Sequence, residues 1–408
     1  MSSSFRRIPA EFFGRRVQRI DLLRGLCIVA VVLHHINLRI RFNHSNAGHF
    51  IGPAANNVLF WNGYYGVRVF FVISGFLITA WSIQRWGQLE ELDLKSFYRM
   101  RFARIAPSLL GLLLVLSLCD LIRVPLFTIQ HTTLPRALLA ALTFHVNWLE
   151  AKSGYLPAGW DVLWSLSVEE VFYFVFPLLC KTLRSRFLLT CVLLSFVVLG
   201  PFVRVLTHNP LWSDYGYLSC TDGIAIGCLA AMLAGTVKLS RAVNLGFRVA
   251  GCGMCLLIAV FRGAGIRFYK IGLDVTVLEV GTALLVIAMQ QGEQEQSKGK
   301  QLMSRFLGMQ LLGRVLRWFG RNSYEVYLTH MLVVLPVVML YQHLHAGINT
   351  APGWFLGATT LAGLAGFVAL AGLAGFVAAK FYSEPLNRRL RARVGRASSR
   401  AAVAASTE

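Results

Sequence analysis

Apolar runs of bilayer-spanning length dominate this chain and leave it few folds to choose from. Ten candidates occupy roughly residues 21–38, 65–82, 105–122, 163–180, 187–206, 217–236, 249–263, 271–290, 323–343 and 355–379. Each is about 15–25 residues long, and a helix needs about 20 to cross a hydrocarbon core about 30 Å thick. The chain is 56% hydrophobic and only 14% charged, too apolar for a soluble enzyme of this size. The expected fold class is an all-α polytopic membrane protein with about ten transmembrane helices. The basic N-terminus precedes no short apolar region with a cleavage site, so no cleavable signal peptide is expected.

A net charge of +21 is compatible with nucleic-acid binding, but its distribution points elsewhere. Arginines and lysines gather between the apolar runs, the pattern of cytoplasmic loops, and no aromatic-basic surface domain accompanies them. Nucleic acid is therefore excluded as a partner. An eleventh apolar run, 136–149, is ambiguous by hydropathy. If it crossed, the basic Lys181–Arg186 segment would lie outside. Without it, ten spans put both termini in the cytoplasm, and only Arg262, Arg267 and Lys270 sort poorly. The expected organisation is a basic cytoplasmic segment at 1–20, a transmembrane domain at 21–382 and a disordered basic tail at 383–408. A long outer loop spans about 123–161, and a cytoplasmic loop about 291–321. In that inner loop, SRFLGMQLLGRVLRWFG is basic and amphipathic and is expected on the membrane surface.

The eight cysteines lie in or beside apolar runs, where they act as small hydrophobes. Cys252 and Cys255 have CxxC spacing without a second ligand pair, so neither a metal site nor a disulfide framework is implied. The nonapeptide LAGLAGFVA occurs at 361–369 and again at 370–378. Its glycines and alanines suit close helix packing.

Chemistry must come from polar residues inside the spans, which are costly there and mark function by default. Arg24 and His35 share the stretch RIDLLRGLCIVAVVLHHINLR with Asp21 and His34. Eleven residues of helix separate their backbones by about 16 Å. Arg24 either snorkels to lipid phosphate or clamps a ligand phosphate. His35 is either a buried neutral imidazole or a general base. In WSLSVEEVFYF, residues 164–174, Glu169 or Glu170 forms a structural ion pair, or a Glu orients His35 from a matching depth on an antiparallel helix. Trp164 and Tyr173 belong to the same segment. Arg101 and Arg104 in YRMRFARIAP sit one turn apart, either as membrane anchors or as a phosphate clamp. GVRVFFVISGFLIT carries Ser74 and Gly75 at a point of close helix approach. RNSYEVYLTHMLVVL places Tyr324 and His330 in a span, where both need polar partners.

In this order the five segments resemble the integral-membrane acyltransferase family three. The likeness covers about residues 20–385 and includes the closing Ser-Glu-Pro at 383–385. It implies about ten transmembrane helices and O-acylation, most often O-acetylation, of glycans or other hydroxyl-bearing acceptors. It implies His35 and Glu169 near the chemistry, with Arg24, Arg101 and Arg104 at the acyl-donor end. Asp21, Ser74, Trp164, Tyr173, Tyr324 and His330 are supporting or acceptor-side residues. Two departures are visible besides the duplicated nonapeptide. Cys220 stands where the family often has an arginine two residues before the Asp of Asp222, and Arg68 occupies a position that is often acidic.

The expected activity is transfer of an acyl group from cytoplasmic acyl-CoA, most simply acetyl-CoA, to a hydroxyl of a glycan or lipid-linked sugar at the cell inner membrane. Acyl-CoA serves as donor substrate, with no bound cofactor. A transporter of glycan or lipid-linked sugar is the rival reading, since intramembrane Arg, His and Glu occur there too. It is disfavoured by the lack of the inverted halves common among transporters. A membrane scaffold would not need these charges.

Overall fold

Nine helices among the described residues are long and apolar enough to cross a membrane, so the chain is a multi-pass membrane protein. The computed structural model describes residues 18–40, 52, 55–261, 271–292, 307–344 and 371–388. Regular structure there is helical throughout. In chain order the helices are α1 (Gln18–Asn37), α2 (Gly63–Trp86), α3 (Leu94–Leu121), α4 (Leu134–Leu142), α5 (Val146–Ser153), α6 (Ala158–Asp161), α7 (Leu163–Leu183), α8 (Arg186–Leu206), α9 (Pro210–Tyr215), α10 (Tyr217–Thr236), α11 (Arg241–Val260), α12 (Leu273–Gly292), α13 (Leu307–Arg321) and α14 (Ser323–Leu344). Nine of the ten expected spans thus correspond to helices. The tenth, 355–379, lies mostly outside the described residues, as do Arg262, Arg267, Lys270, the first nonapeptide copy and both chain ends. Residues 371–388 are helical, with a wider π-type turn over Ala378–Ser383.

Side-chain caps mark several helix starts. Asp93 accepts from the Ser96 amide, Ser185 from Leu188, Asn209 from Trp212 and Ser240 from Val243, each satisfying an otherwise orphaned donor. The Asp93 cap starts α3 about a turn and a half before Arg99, so Arg101 and Arg104 belong to the helix itself.

The ambiguous run 136–149 does not form a spanning helix. It breaks between α4 and α5 at Phe144, whose φ of 57° is left-handed, and His145 turns the chain back through its amide to Ala140.

Packing separates central from peripheral helices. In the membrane-length windows, 78% of α2 and 72% of α9–α10 is buried, against 22% of α8 and 11% of α11. Small residues set the centre. A Cβ on Gly75 would collide with the Ile224 carbonyl, and one on Gly227 with that of Val72, so α2 and α10 touch backbone to backbone.

The amphipathic segment, expected on the membrane surface, packs against another helix. Here α13 runs antiparallel along α1: Gly320 sits against the Asp21 carbonyl and Gly25 against that of Leu316. Two glycines in matching register let the helices close on each other. In the second nonapeptide copy, Gly372 meets Trp318 and Phe319, and Gly375 meets Val326, which is close packing of the kind its composition suits.

Candidate active site

Helix α1 is the axis of the site, because it carries both Arg24 and His35. At its beginning, Arg24 donates to Ser323 Oγ over 2.7 Å, and buried Asp21 lies 3.8 Å from Arg321. Both contacts join α1 to the α13–α14 junction.

The other two arginines reach the same end from α3. Arg101 donates to Glu170 Oε1 over 3.2 Å, and its guanidinium stands 3.8 Å over the Tyr173 ring. Arg104 is exposed. Arg101, Arg24 and Arg104 all act electrostatically on Glu169. The Tyr324 hydroxyl donates to the Ile105 carbonyl over 3.3 Å, in the field of Arg104 and Arg101. Glu325 also feels Arg104 and Arg24 and accepts from Ser383 over 3.4 Å. Four cations, counting Arg321, and four carboxylates, counting Asp21, therefore crowd one end of the bundle.

Glu169 is held there too. Its Oε1 accepts from Ser74 over 2.7 Å, which gives the serine of the close-approach segment a definite partner. The expected bond from Glu169 to His35 is replaced. The groups acting on His35 are His330, His34 and Arg39, and those on Glu169 are Ser74 and the arginines. Equal depth in two helices does not fix which way either side chain turns, and Ser74 offers Glu169 a nearer donor.

Around His35 the structure gathers residues from both ends of the sequence. Its ring lies 5.1 Å from that of His330 and 5.8 Å from His34. His34 turns away, donating from Nδ1 to the Phe60 carbonyl over 3.1 Å. Arg39 donates to the His35 carbonyl over 2.7 Å, satisfying an acceptor at the end of α1. Buried His330 donates from Nδ1 to the Tyr327 carbonyl over 2.6 Å. The Tyr327 hydroxyl meets Ser165 Oγ at 2.7 Å and donates to the Val162 carbonyl over 2.9 Å. Trp164 stacks on Tyr215 at 4.1 Å with 6° between planes; it belongs to this end, not to the arginine cluster.

Sequence reasoning overlooked Arg39, Tyr327, Ser165 and Ser323. Tyr327 and Ser323 lie within the quoted RNSYEVYLTH segment, and Arg39 follows His35 by one turn, so their positions were visible although their contacts were not. It also left Arg68 open. Arg68 is wholly buried, 3.9 Å from both Asp222 and Glu279. Among the described residues no group of three or more His, Cys, Asp or Glu side chains is placed to hold a metal ion.

The histidine pair and the clustered arginines lie at different levels of one multi-helical membrane domain. The chain belongs to acyltransferase family 3: the family's acyltransferase-domain profile matches residues 17–375. It is 24% identical over 363 residues to the O-acetyltransferase OatA of Staphylococcus aureus (strain NCTC 8325 / PS 47), covering 83% of this chain and 54% of that protein. It is 26% identical over 347 residues to the putative peptidoglycan O-acetyltransferase YrhL of Bacillus subtilis (strain 168), covering 79% and 49%. The peptidoglycan O-acetyltransferase OatA of Listeria monocytogenes is 24% identical over 347 residues, covering 79% and 50%. The chain spans about half the length of these curated relatives. No solved structure matches it.

Proposed function

We propose that this protein is an O-acyltransferase of the cell inner membrane, with both termini cytoplasmic, that moves an acetyl group from cytoplasmic acetyl-CoA to a hydroxyl of a surface glycan. The observation that carries this reading is the division of α1, with Arg24 in a three-arginine cluster and His35 about 16 Å along the same helix, beside His330. Family membership and the O-acetyltransferase names of the relatives support the transferred group and, for the peptidoglycan enzymes, the acceptor class.

Phosphates of the donor meet Arg24, Arg101 and Arg104 through charge-assisted hydrogen bonds. The pantetheine arm, of about the same reach as the Arg24–His35 spacing, carries the thioester to the histidines while the nucleotide stays at the arginine end. There His35 either takes the proton of the acceptor hydroxyl or accepts the acyl group as an intermediate. Glu169, bonded to Ser74 among the arginines, acts on the donor side by orienting that cluster. Keeping donor and acceptor entrances apart excludes bulk water from the thioester.

The test is consumption of acetyl-CoA by the purified protein. Release of free CoA thiol, stimulated by a glycan acceptor that gains acetyl esters, is expected. A protein that binds glycan but releases no CoA is not an acyltransferase.

A further inference from the structure

His330 is buried to 0% exposure, and its tautomer is set by its neighbour. A carbonyl only accepts, so the 2.6 Å contact between Nδ1 and the Tyr327 oxygen puts the hydrogen on Nδ1. In neutral His330 the other nitrogen, Nε2, then carries a bare lone pair. That atom is buried and has no hydrogen-bond partner, and neither does Nδ1 of His35 in the adjacent ring. The two are not bonded to each other.

Buried ring nitrogens left without partners are rare and costly. Two in neighbouring rings call for a small group that both gives a hydrogen and accepts one. A hydroxyl fits: its O–H points at His330 Nε2 while its oxygen accepts from His35 Nδ1–H. A phosphate or carboxylate lacks the hydrogen, and a lipid chain lacks both.

The surroundings place this hydroxyl on the acceptor side. Moving away from Arg24 along α1, His35 is followed by Arg39, which feels Asp161. Tyr327, whose ring lies 5.7 Å from His330, bonds to Ser165 and Val162 at the start of α7, and Glu169, one turn further along that helix, acts on it electrostatically. The titratable and charged groups facing the pair are His34, Arg39 and Tyr327, with Asp161, Glu169 and Glu150 beyond Tyr327.

We propose that His330 is a catalytic base of this protein, taking the proton of an acceptor hydroxyl that His35 holds through Nδ1. The proposal rests on the acyltransferase reading and assigns its proton. The hydroxyl oxygen bonds to the acyl carbon, the acyl–sulfur bond breaks, and the O–H proton passes to His330 Nε2. It then passes to the departing thiolate. The products are an ester and a free thiol, and His330 ends neutral.

The experiment uses the full chain in lipid nanodiscs with acetyl-CoA as donor and glycerol or water as the hydroxyl probe, reading CoA release. His330→Asn keeps an amide donor at the position of Nδ1 for the Tyr327 carbonyl but takes no proton. It is expected to lower kcat by about 100-fold or more, to leave KM for acetyl-CoA within about twofold, and to abolish the acidic limb of the pH–rate profile. His330→Gln serves as the second variant if the first does not insert. A kcat within about threefold of wild type in either inserted variant overturns the proposal. So does a wild-type kcat that is flat from about pH 4 to 8. A wild-type protein that releases no CoA at all overturns the acyltransferase reading itself, a distinct result.

Discussion

Arg68 and Arg204 donate to one carbonyl oxygen, that of Ser219, over 2.8 and 2.7 Å. Two cations converge on one acceptor only because anions stand beside them. Asp222 accepts from Arg204 over 2.7 Å, and both Asp222 and Glu279 lie 3.9 Å from Arg68. Thr276 and the Gly272 carbonyl take the remaining Arg204 donors. The network ties α2, α8, α10 and α12 together.

Removing one partner of such a buried set leaves an uncompensated charge, at a cost of about 3–5 kcal/mol. Arg204→Leu and Arg68→Leu are each expected to lower the thermal stability of the detergent-solubilised protein strongly. Removing a cation and an anion together, as in Arg204→Leu with Asp222→Leu, should recover part of the loss. Additive losses in the double variant would show that the pair is not coupled.

His35→Ala is expected to leave the protein inserted and folded, since the side chain makes no hydrogen bond to another side chain. Acyl transfer should fall by at least about 100-fold. Turnover close to wild type would remove His35 from the chemistry.

Arg101→Ala combined with Arg104→Ala should raise KM for acetyl-CoA by about tenfold or more. Each charge-assisted bond contributes about 1.5–3 kcal/mol, and 1.4 kcal/mol is tenfold in affinity. KM for the glycan acceptor should stay near wild type. Equal rises in both constants would argue for general loosening of α3 in place of a donor clamp.

Gly25→Ala tests the α1–α13 contact. The added Cβ meets the Leu316 backbone, which has no flexible end to swing away, so the helices must separate at a cost of about 1–3 kcal/mol. Gly246→Ala is the control, because open space surrounds that glycine. A fall in Tm for the first variant and none for the second is expected; matching values would dissolve the proposed steric contact.

Glu150 supplies a pH dependence. Burial, and then the neighbouring Asp161, push its carboxyl well above the usual range. The native state therefore holds this proton more tightly than the unfolded chain. The stability so gained is complete below the ordinary carboxylate range and is lost as pH rises through the raised value. Glu150→Gln keeps a neutral group and should flatten the alkaline decline in Tm measured across about pH 5 to 9. An unchanged slope would place that decline elsewhere.

The spans were legible in the sequence because a bilayer tests each apolar run separately, by length and composition. The nine described spanning helices follow those runs, and α3 differs chiefly in starting earlier, at the Asp93 cap. The residues of the site were legible as well. Arg24, His35, Ser74, Arg101, Arg104, Glu169, Tyr324 and His330 are polar groups in apolar surroundings, and each had to have a partner.

Which partner each found was beyond the sequence. His35 and His330 are 295 positions apart and meet only because α14 packs beside α1. Glu169 bonds Ser74 because facing direction, unlike depth, is set when helices dock. The run 136–149 is apolar enough to be ambiguous, yet a left-handed residue at Phe144 divides it. Length and composition thus marked nine of the membrane helices and the side chains that would be expensive there. Tertiary structure decided which of those side chains offset one another's cost, since hydrogen bonds act over about 3 Å and only packing brings distant segments that close.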